Sequence, residues 1–175
     1  ERGSRGELKL LASRGFSPLA VQFWEWVRTD SHCTCGTAMR TGNRAIATDV
    51  RTCDFMAGSE DRTAYLQAGL LAAQSTPLVS RSGKLLGMIS THWKQPHEPS
   101  ERDLRLLDIL ARQAADLIER ANEEQRKSAE LQAIARLHEV GNLCLRSDAP
   151  FDQCLQEIVG AAIEITRADK GNIQL

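Results

Sequence analysis

The spacing of apolar positions changes along the chain and divides it into a head of short elements, a long helical stretch and a tail. From Ser100 onward apolar residues recur at helical intervals at Leu104, Leu107, Leu110, Ala111, Ala114, Leu117, Ile118 and Ala121. A charged run without Gly or Pro, ERANEEQRKSAE, follows, and the stripe resumes at Leu131, Ile134, Ala135 and Leu137. Ser100, with Asp103 three residues on, has the form of a capping box. The spacing predicts one helix, or two nearly in line, over 100–145, and that length favours a coiled-coil connector over a globular helix. Beyond a turn at Ser147 or Asp148 and Pro150, residues 151–167 form a second amphipathic pattern, and GNIQL at the end reads as the start of a strand.

In the head the period is shorter. Residues 73–80 and 85–93 read as two strands joined by the polar loop RSGK, a hairpin signal. Strict alternation puts Leu86, Met88, Ser90 and His92 on one face of the second strand and Gly87, Ile89, Thr91 and Trp93 on the other. Both faces carry apolar residues, so both are expected to be covered. Pro77 predicts an irregularity in the first strand. Upstream, 7–13 reads as a strand, 18–28 as a helix with Pro18 in its first turn, and 34–42 as helical turns closed by Gly42. A short strand from 44 to 50 follows, then a loop, then a helix over 61–70 capped by Asp61 and stopped near Gly69. Phe23, Trp24 and Trp26 crowd one stretch, which predicts that this stretch covers something apolar.

Composition narrows the class. The 175 residues are 42% hydrophobic and 26% charged, in the globular range, with a formal net charge of −1. A nucleic-acid backbone or an anionic membrane would call for a basic surplus, so neither is expected as a partner. No apolar run approaches the roughly 20 residues that span a bilayer, and the charged start ERGSRGELKL lacks the apolar core of a signal peptide. A cytoplasmic location is therefore expected. The five cysteines are odd in number and irregular in spacing, which predicts reduced thiols.

Three segments carry a resemblance. CGTAMRTGNRAIATDV, QSTPLVSRSGKLLGMISTHW and PSERDLRLLDILARQAADLIER together resemble the C-terminal three-quarters of a GAF domain, of the kind found in bacterial multi-domain sensor histidine kinases. Residues 131–175 resemble the beginning of another GAF domain, with an opening helix, a helix ending in ADKG and a first strand GNIQL. The resemblance thus implies a fragment of a tandem array, with residues 1–121 from one GAF domain, 122–145 as a helical coiled-coil linker, and 146–175 as the helix and first strand of the next. The tail would then complete the sheet of the head, within one chain or swapped between two copies. The implied fold class is α+β, a GAF/PAS-like central antiparallel sheet flanked by helices with a long C-terminal connector. The implied role is that of a regulatory signalling module in a two-component system, homodimeric through its helix and carrying its output domain elsewhere in a parent chain.

Candidate chemistry is sparse. His32, Cys33 and Cys35 offer at most three ligands where structural zinc takes four, so no metal is expected. Bilin attachment at Cys53 lacks its accompanying motifs. His92, the axial ligand haem would want, is a lone histidine on a strand, where such a residue is more often hydrogen-bonded or exposed than a ligand. No Ser-His-Asp order, P-loop or dinucleotide fingerprint is present, and no catalytic residue of that kind is assigned. No cofactor is identifiable. The resemblance implies a small-molecule pocket between the sheet and the short helices, near Phe23, Trp26, Cys35, Asp49, Leu70, Ser75, Met88, Ser90 and His92. The helix of a second copy is expected to pair along Leu107, Ala114, Leu117, Ala121, Leu131 and Ile134. Two alternatives stand beside the sensor. CGTA at Cys35–Ala38 is similar to the catalytic-cysteine segment of the free methionine sulfoxide reductases, with Cys33 as a resolving thiol. The other alternative is a purely structural dimerisation spacer.

Overall fold

The computed structural model describes residues 6–146 and 150–174. Its contacts divide into two units, Glu1–Glu119 and Arg120–Leu175.

The first unit is α+β. A two-stranded antiparallel ribbon joins β1 (Leu8–Lys9) to β2 (Trp26–Val27), and between them lies α1 (Pro18–Phe23). Ser17 caps α1, its side chain accepting from the Ala20 amide, and Pro18 occupies the start, where a missing amide costs nothing. The expected helix over 18–28 is therefore shorter. Trp26 and Val27 leave it because they pair with Lys9 and Leu8, and a ladder supplies the amide partners that a longer helix would have given. The expected strand over 7–13 shrinks to the same two pairs.

Next come α2 (Thr34–Thr41), β3 (Ala45–Ala47), a 3-10 turn (Asp54–Met56) and α3 (Glu60–Gln67). Gly42, at φ 70°, closes α2 with its amide on the Ala38 carbonyl, as its position predicts. The cap of α3 is Ser59, which accepts from the Arg62 amide at 3.1 Å; the expected cap, Asp61, has a different task. The hairpin β4 (Ala72–Val79) and β5 (Leu85–Trp93) then joins β3 in a three-stranded antiparallel sheet of order β3-β4-β5.

The irregularity that Pro77 predicts lies one residue on. The register shifts between Leu78 and Val79, which pair with Gly87 and Leu85. Leu86 is the extra residue, so the alternation slips there. Leu86 packs with Ile89 against Leu78, Ala111 and Ala115, on the face covered by helix α4 (Glu101–Cys144). The strict alternation that grouped Leu86 with Met88, Ser90 and His92 fails at this bulge. On the other side of the sheet lies the larger core, built on Val27, Cys33, Ala47, Val50, Met56, Tyr65 and Ala73.

Helix α4 begins with the expected box. The Asp103 amide donates to Ser100 Oγ at 3.2 Å, and the Ser100 amide and hydroxyl both donate to Asp103 Oδ2. On the same side of the sheet Arg44 donates to Thr76 Oγ1 at 2.8 Å, to the Leu104 carbonyl and to Asp108, tying the start of α4 to the sheet. Gln74, fully buried, is satisfied by Thr76 and Thr91.

The second unit holds the remainder of α4 and α5 (Phe151–Thr166), whose bounds match the helical periodicity closely. Arg136 of α4 donates to Glu157 at 2.7 Å and to Glu164 at 3.0 Å, both on α5. Residues 171–174, expected as the start of a strand, lie in none, and Leu175 and the expected turn residues Ser147 and Asp148 lie outside the described residues.

Candidate functional site

Five short side chains, Cys33, Thr34, Cys35, Ser75 and Ser90, meet where α2 faces the sheet. Cys33 caps α2, its Sγ accepting from the Gly36 amide at 3.4 Å, and Cys35 is the second helical residue. The Cys35 sulfur lies 3.2 Å from Ser75 Oγ on β4 and 3.0 Å from Ser90 Oγ on β5. The two serine oxygens are 2.8 Å apart, and Ser75 donates to Thr34 Oγ1 at 2.7 Å. Ser75 is buried and has one proton to share between Thr34 and Cys35. A Cys35 thiolate therefore has the Cys33 thiol, the Ser90 hydroxyl and a share of the Ser75 proton as its donors.

The electrostatics follow from these donors. Cys35 is pulled down to about 7, first by the hydrogen bond from Cys33 and then, against the cost of burial, by Ser75 and Ser90. Cys33 is pushed well above the ordinary thiol range by that same bond and by burial. Cys35 is therefore expected to alkylate with a midpoint near neutrality, while Cys33 stays a thiol. Ser90→Ala removes a donor to the thiolate, so the midpoint should move upward; iodoacetamide rates against pH, read by peptide mass, measure it, and an unmoved midpoint contradicts the assignment.

An aromatic cluster adjoins these thiols. Tyr65 is 1% exposed. Its ring centroid lies 4.8 Å from that of Trp24 and 5.6 Å from that of His92, and Phe16 meets His92 edge-on at 5.0 Å. The Tyr65 hydroxyl reaches His92 Nε2 at 3.4 Å. Asp61 supports the cluster from outside, accepting from Trp24 Nε1 at 3.4 Å and from the His32 amide at 2.9 Å. Cys33, Cys35 and Tyr65 thus lie together against one face of the sheet.

Burial lowers His92 from 6.5 to about 4, so the ring is neutral near pH 7. In the unfolded chain it protonates earlier on acidification. Its contribution is therefore whole above about pH 6.5 and is lost as the pH falls toward 4, a change on the order of 3 kcal/mol. Urea melts of the protein and of His92→Asn, compared over that interval, should show a shallower pH slope in the variant. Parallel slopes would remove His92 from the account.

Of the nine residues expected at a pocket, the structure joins Cys35, Ser75 and Ser90 directly and sets His92 beside them through Tyr65. Leu70 packs on the same core. Phe23 and Trp26 are more than 40% exposed; Phe23 stacks edge-on with Trp24, and Trp26 lies under the Lys9 ammonium. Asp49 turns to Arg51, and Met88 sits opposite Pro77 in the hairpin. A shallow hollow of about 450 Å³ opens beside α1, lined by Leu10, Phe16, Pro18, Val21, Gln22 and Glu25, and none of the nine lines it. Thr34, Tyr65, Trp24 and Asp61 were not among the residues expected at the pocket. Only the crowding of aromatic residues at 23–26 signalled any part of this group.

Along α4 the expected pairing positions divide. Ala114 packs on the sheet and Leu107 is half-buried, whereas Leu117, Ala121, Leu131 and Ile134 are exposed. Leu106, Ile109 and Leu110 are exposed as well. Among the described residues no helix is long and apolar enough to cross a membrane, and no group of three or more His, Cys, Asp or Glu side chains is placed to hold a metal ion.

The profile of the GAF domain matches residues 4–119. Among solved structures, a domain of a protein described as a two-component sensor histidine kinase from Sinorhizobium meliloti 1021 superposes with a TM-score of 0.56 at 20% identity, covering 71% of this chain and 79% of that one. The GAF domain region of a protein described as a membrane protein from Geobacter sulfurreducens PCA gives 0.55 at 16% identity, covering 67% and 76%. At these identities the likeness is one of fold. No curated protein sequence matches significantly. The profile covers the head from its first ribbon through the sheet to the helix that closes it, and the chain belongs to the GAF domain family.

Proposed function

We propose that the chain is a regulatory sensor module of a longer signalling protein, that the cluster of Cys35, Ser75, Ser90, Tyr65 and His92 is its sensing site, and that α4, paired with its copy in a homodimer, carries the response. The observation behind the reading is the place of that cluster. It lies on the sheet face opposite α4, and the strands that bear it, β4 and β5, also carry Leu78, Leu86 and Ile89 against Ala111 and Ala115. A change of packing on one face therefore reaches the other through the same two strands. The exposed Leu106, Leu110 and Leu117, and in the second unit Leu131 and Ile134, supply apolar surface for the pairing.

Native mass spectrometry with an absorbance spectrum tests this reading. A dimer carrying a small molecule supports it, and a monomer with nothing bound at micromolar concentration ends it.

We also propose that the chain joins the end of one GAF domain to the beginning of the next, with the outer edge of β5 completed by the tail of a second copy. The nine residues of β5 are half-buried, and its outer edge pairs with no strand among those described. Hydrogen exchange should then protect the outward amides of β5 only at concentrations where dimers form; protection independent of concentration contradicts it.

A second reading rests on the lowered Cys35 thiol beside Cys33, the arrangement a thiol reductase needs. Its test is NADPH-linked loss of free methionine sulfoxide in the presence of thioredoxin, abolished by Cys35→Ser. No turnover above background excludes that activity.

A further inference from the structure

We propose that residues 11–16 form a lid over the His92 end of the sheet-side cluster, latched by the ring of Phe16 and hinged at Gly15. The segment is tied down at both ends. The Leu10 amide donates to the Glu25 carbonyl at 2.8 Å, and Ser17 caps α1. Between those ties, residues 11–16 make no hydrogen bond among the described residues. Residues 11–15 are all exposed, and only Phe16 is half-buried. Its ring meets His92 at 5.0 Å and Trp24 at 5.9 Å, edge-on in both cases. It lies nearer to the imidazole than the ring of Tyr65 or of Trp24 does. A segment with no ladder and one packed side chain opens without unfolding its neighbours, because the contacts of a single ring hold it shut.

The fold offers that ring a second place. Phe16 also lines the hollow of about 450 Å³ beside α1, with Leu10, Pro18 and Val21 as apolar neighbours. A ring that leaves His92 can turn into the hollow and stay against apolar surface, so the open lid does not leave it in water. Gly15 precedes Phe16 at φ 83°, a conformation that glycine takes freely and that an L side chain disfavours by a factor of about ten. The closed lid therefore depends on a glycine at its hinge.

Opening uncovers the part of His92 that Phe16 touches and the side of Trp24 next to it, which gives the cluster an entrance. The consequence for sensing rests on the reading of that cluster as the sensing site. The lid itself rests on the contacts above.

The experiment is carbethoxylation of the full chain by diethyl pyrocarbonate at pH 7, with each histidine read by peptide mass and the exposed His138 as reference. In the wild-type protein the His92 rate should stay flat in urea below the unfolding transition, as local opening requires. Phe16→Ala removes the latch. Gly15→Ala adds a side chain that meets nothing within 4 Å, so it penalises only the closed backbone. Each variant should raise the His92 rate about tenfold relative to His138. Gly83→Ala, at φ 82° in the β4–β5 loop and with the same open surroundings, places an equal strain away from the lid and should leave the rate unchanged. A wild-type rate in Gly15→Ala overturns the proposal. So does an equal rise in Gly83→Ala, or a wild-type rate that climbs with urea in step with global unfolding. None of these rates needs a ligand or a dimer, so a failed lid and a failed sensing site give different results.

Discussion

Gly36→Ala is expected to destabilise the first unit by more than about 3 kcal/mol and to abolish the neutral-range titration of Cys35. A methyl group at this position would begin 2.1 Å from the Ser31 carbonyl oxygen, 2.9 Å from its carbonyl carbon and 3.0 Å from the Arg28 carbonyl oxygen. All three are backbone atoms, so no side chain can swing aside to make room. The clash pushes either α2 or the 28–31 turn away. That turn is held by the Ser31 amide on the Arg28 carbonyl and by Arg40 Nη1, which donates to the Thr29 and Ser31 carbonyls. Moving α2 shifts Cys35 relative to Ser75 and Ser90 on the sheet, and the donors that lower its thiol are lost. Urea unfolding and the alkylation midpoint read the two consequences separately. A variant with wild-type stability and an unchanged midpoint would mean that the turn yields freely, and the packing of α2 described above would be wrong.

Tyr65→Ala is expected to lose about 3–5 kcal/mol, the range for emptying a buried aromatic site. Tyr65 is among the largest fully buried side chains, packed by Trp24 and His92 and seated in the core with Met56 and Val50. The loss is a large fraction of the 5–15 kcal/mol that holds a typical domain together. Tyr65→Phe keeps the ring and removes only the hydroxyl that reaches His92, so it should cost about 0.5–1.5 kcal/mol. The pair of variants separates volume from hydrogen bonding. An alanine variant that loses less than the phenylalanine variant would show that the cluster is loosely packed.

The two variants bear on how much of the site was legible in the sequence. Cys35, Ser75, Ser90 and His92 were placed near one another from a family resemblance, and the structure joins the first three by direct contacts and the fourth through Tyr65. Tyr65 itself sat unremarked in a stretch read only as a helix. Its helix has almost no amphipathic signal, because a single buried ring among polar neighbours makes no stripe. Asp61 was read as a helix cap from its place before that stretch. Ser59 took the cap, and Asp61 became the acceptor for a tryptophan and a backbone amide that are remote in sequence. Phe23 and Trp26 were placed at the pocket by the same resemblance, and the crowding of three aromatic residues predicted only that their stretch covers something apolar. Only Trp24 of the three turns fully into the ring cluster.

Local chemistry by itself determined the two helices of the tail half, the capping box at Ser100, the β4–β5 hairpin and the glycine stop of α2. Each of these is decided by residues within a few positions of one another, through helical spacing, a side-chain cap or a turn that admits positive φ. Only the tertiary structure decided the rest. Trp26 and Val27 became a strand because Leu8 and Lys9 were there to pair with them. Leu86 changed faces because a bulge slipped the alternation. The Cys35 thiol acquired its partners from positions 40 and 55 residues away, brought together by strand pairing. Contacts between residues so far apart depend on how sheet and helices close on one another, and no local pattern of apolar and polar positions contains that closure.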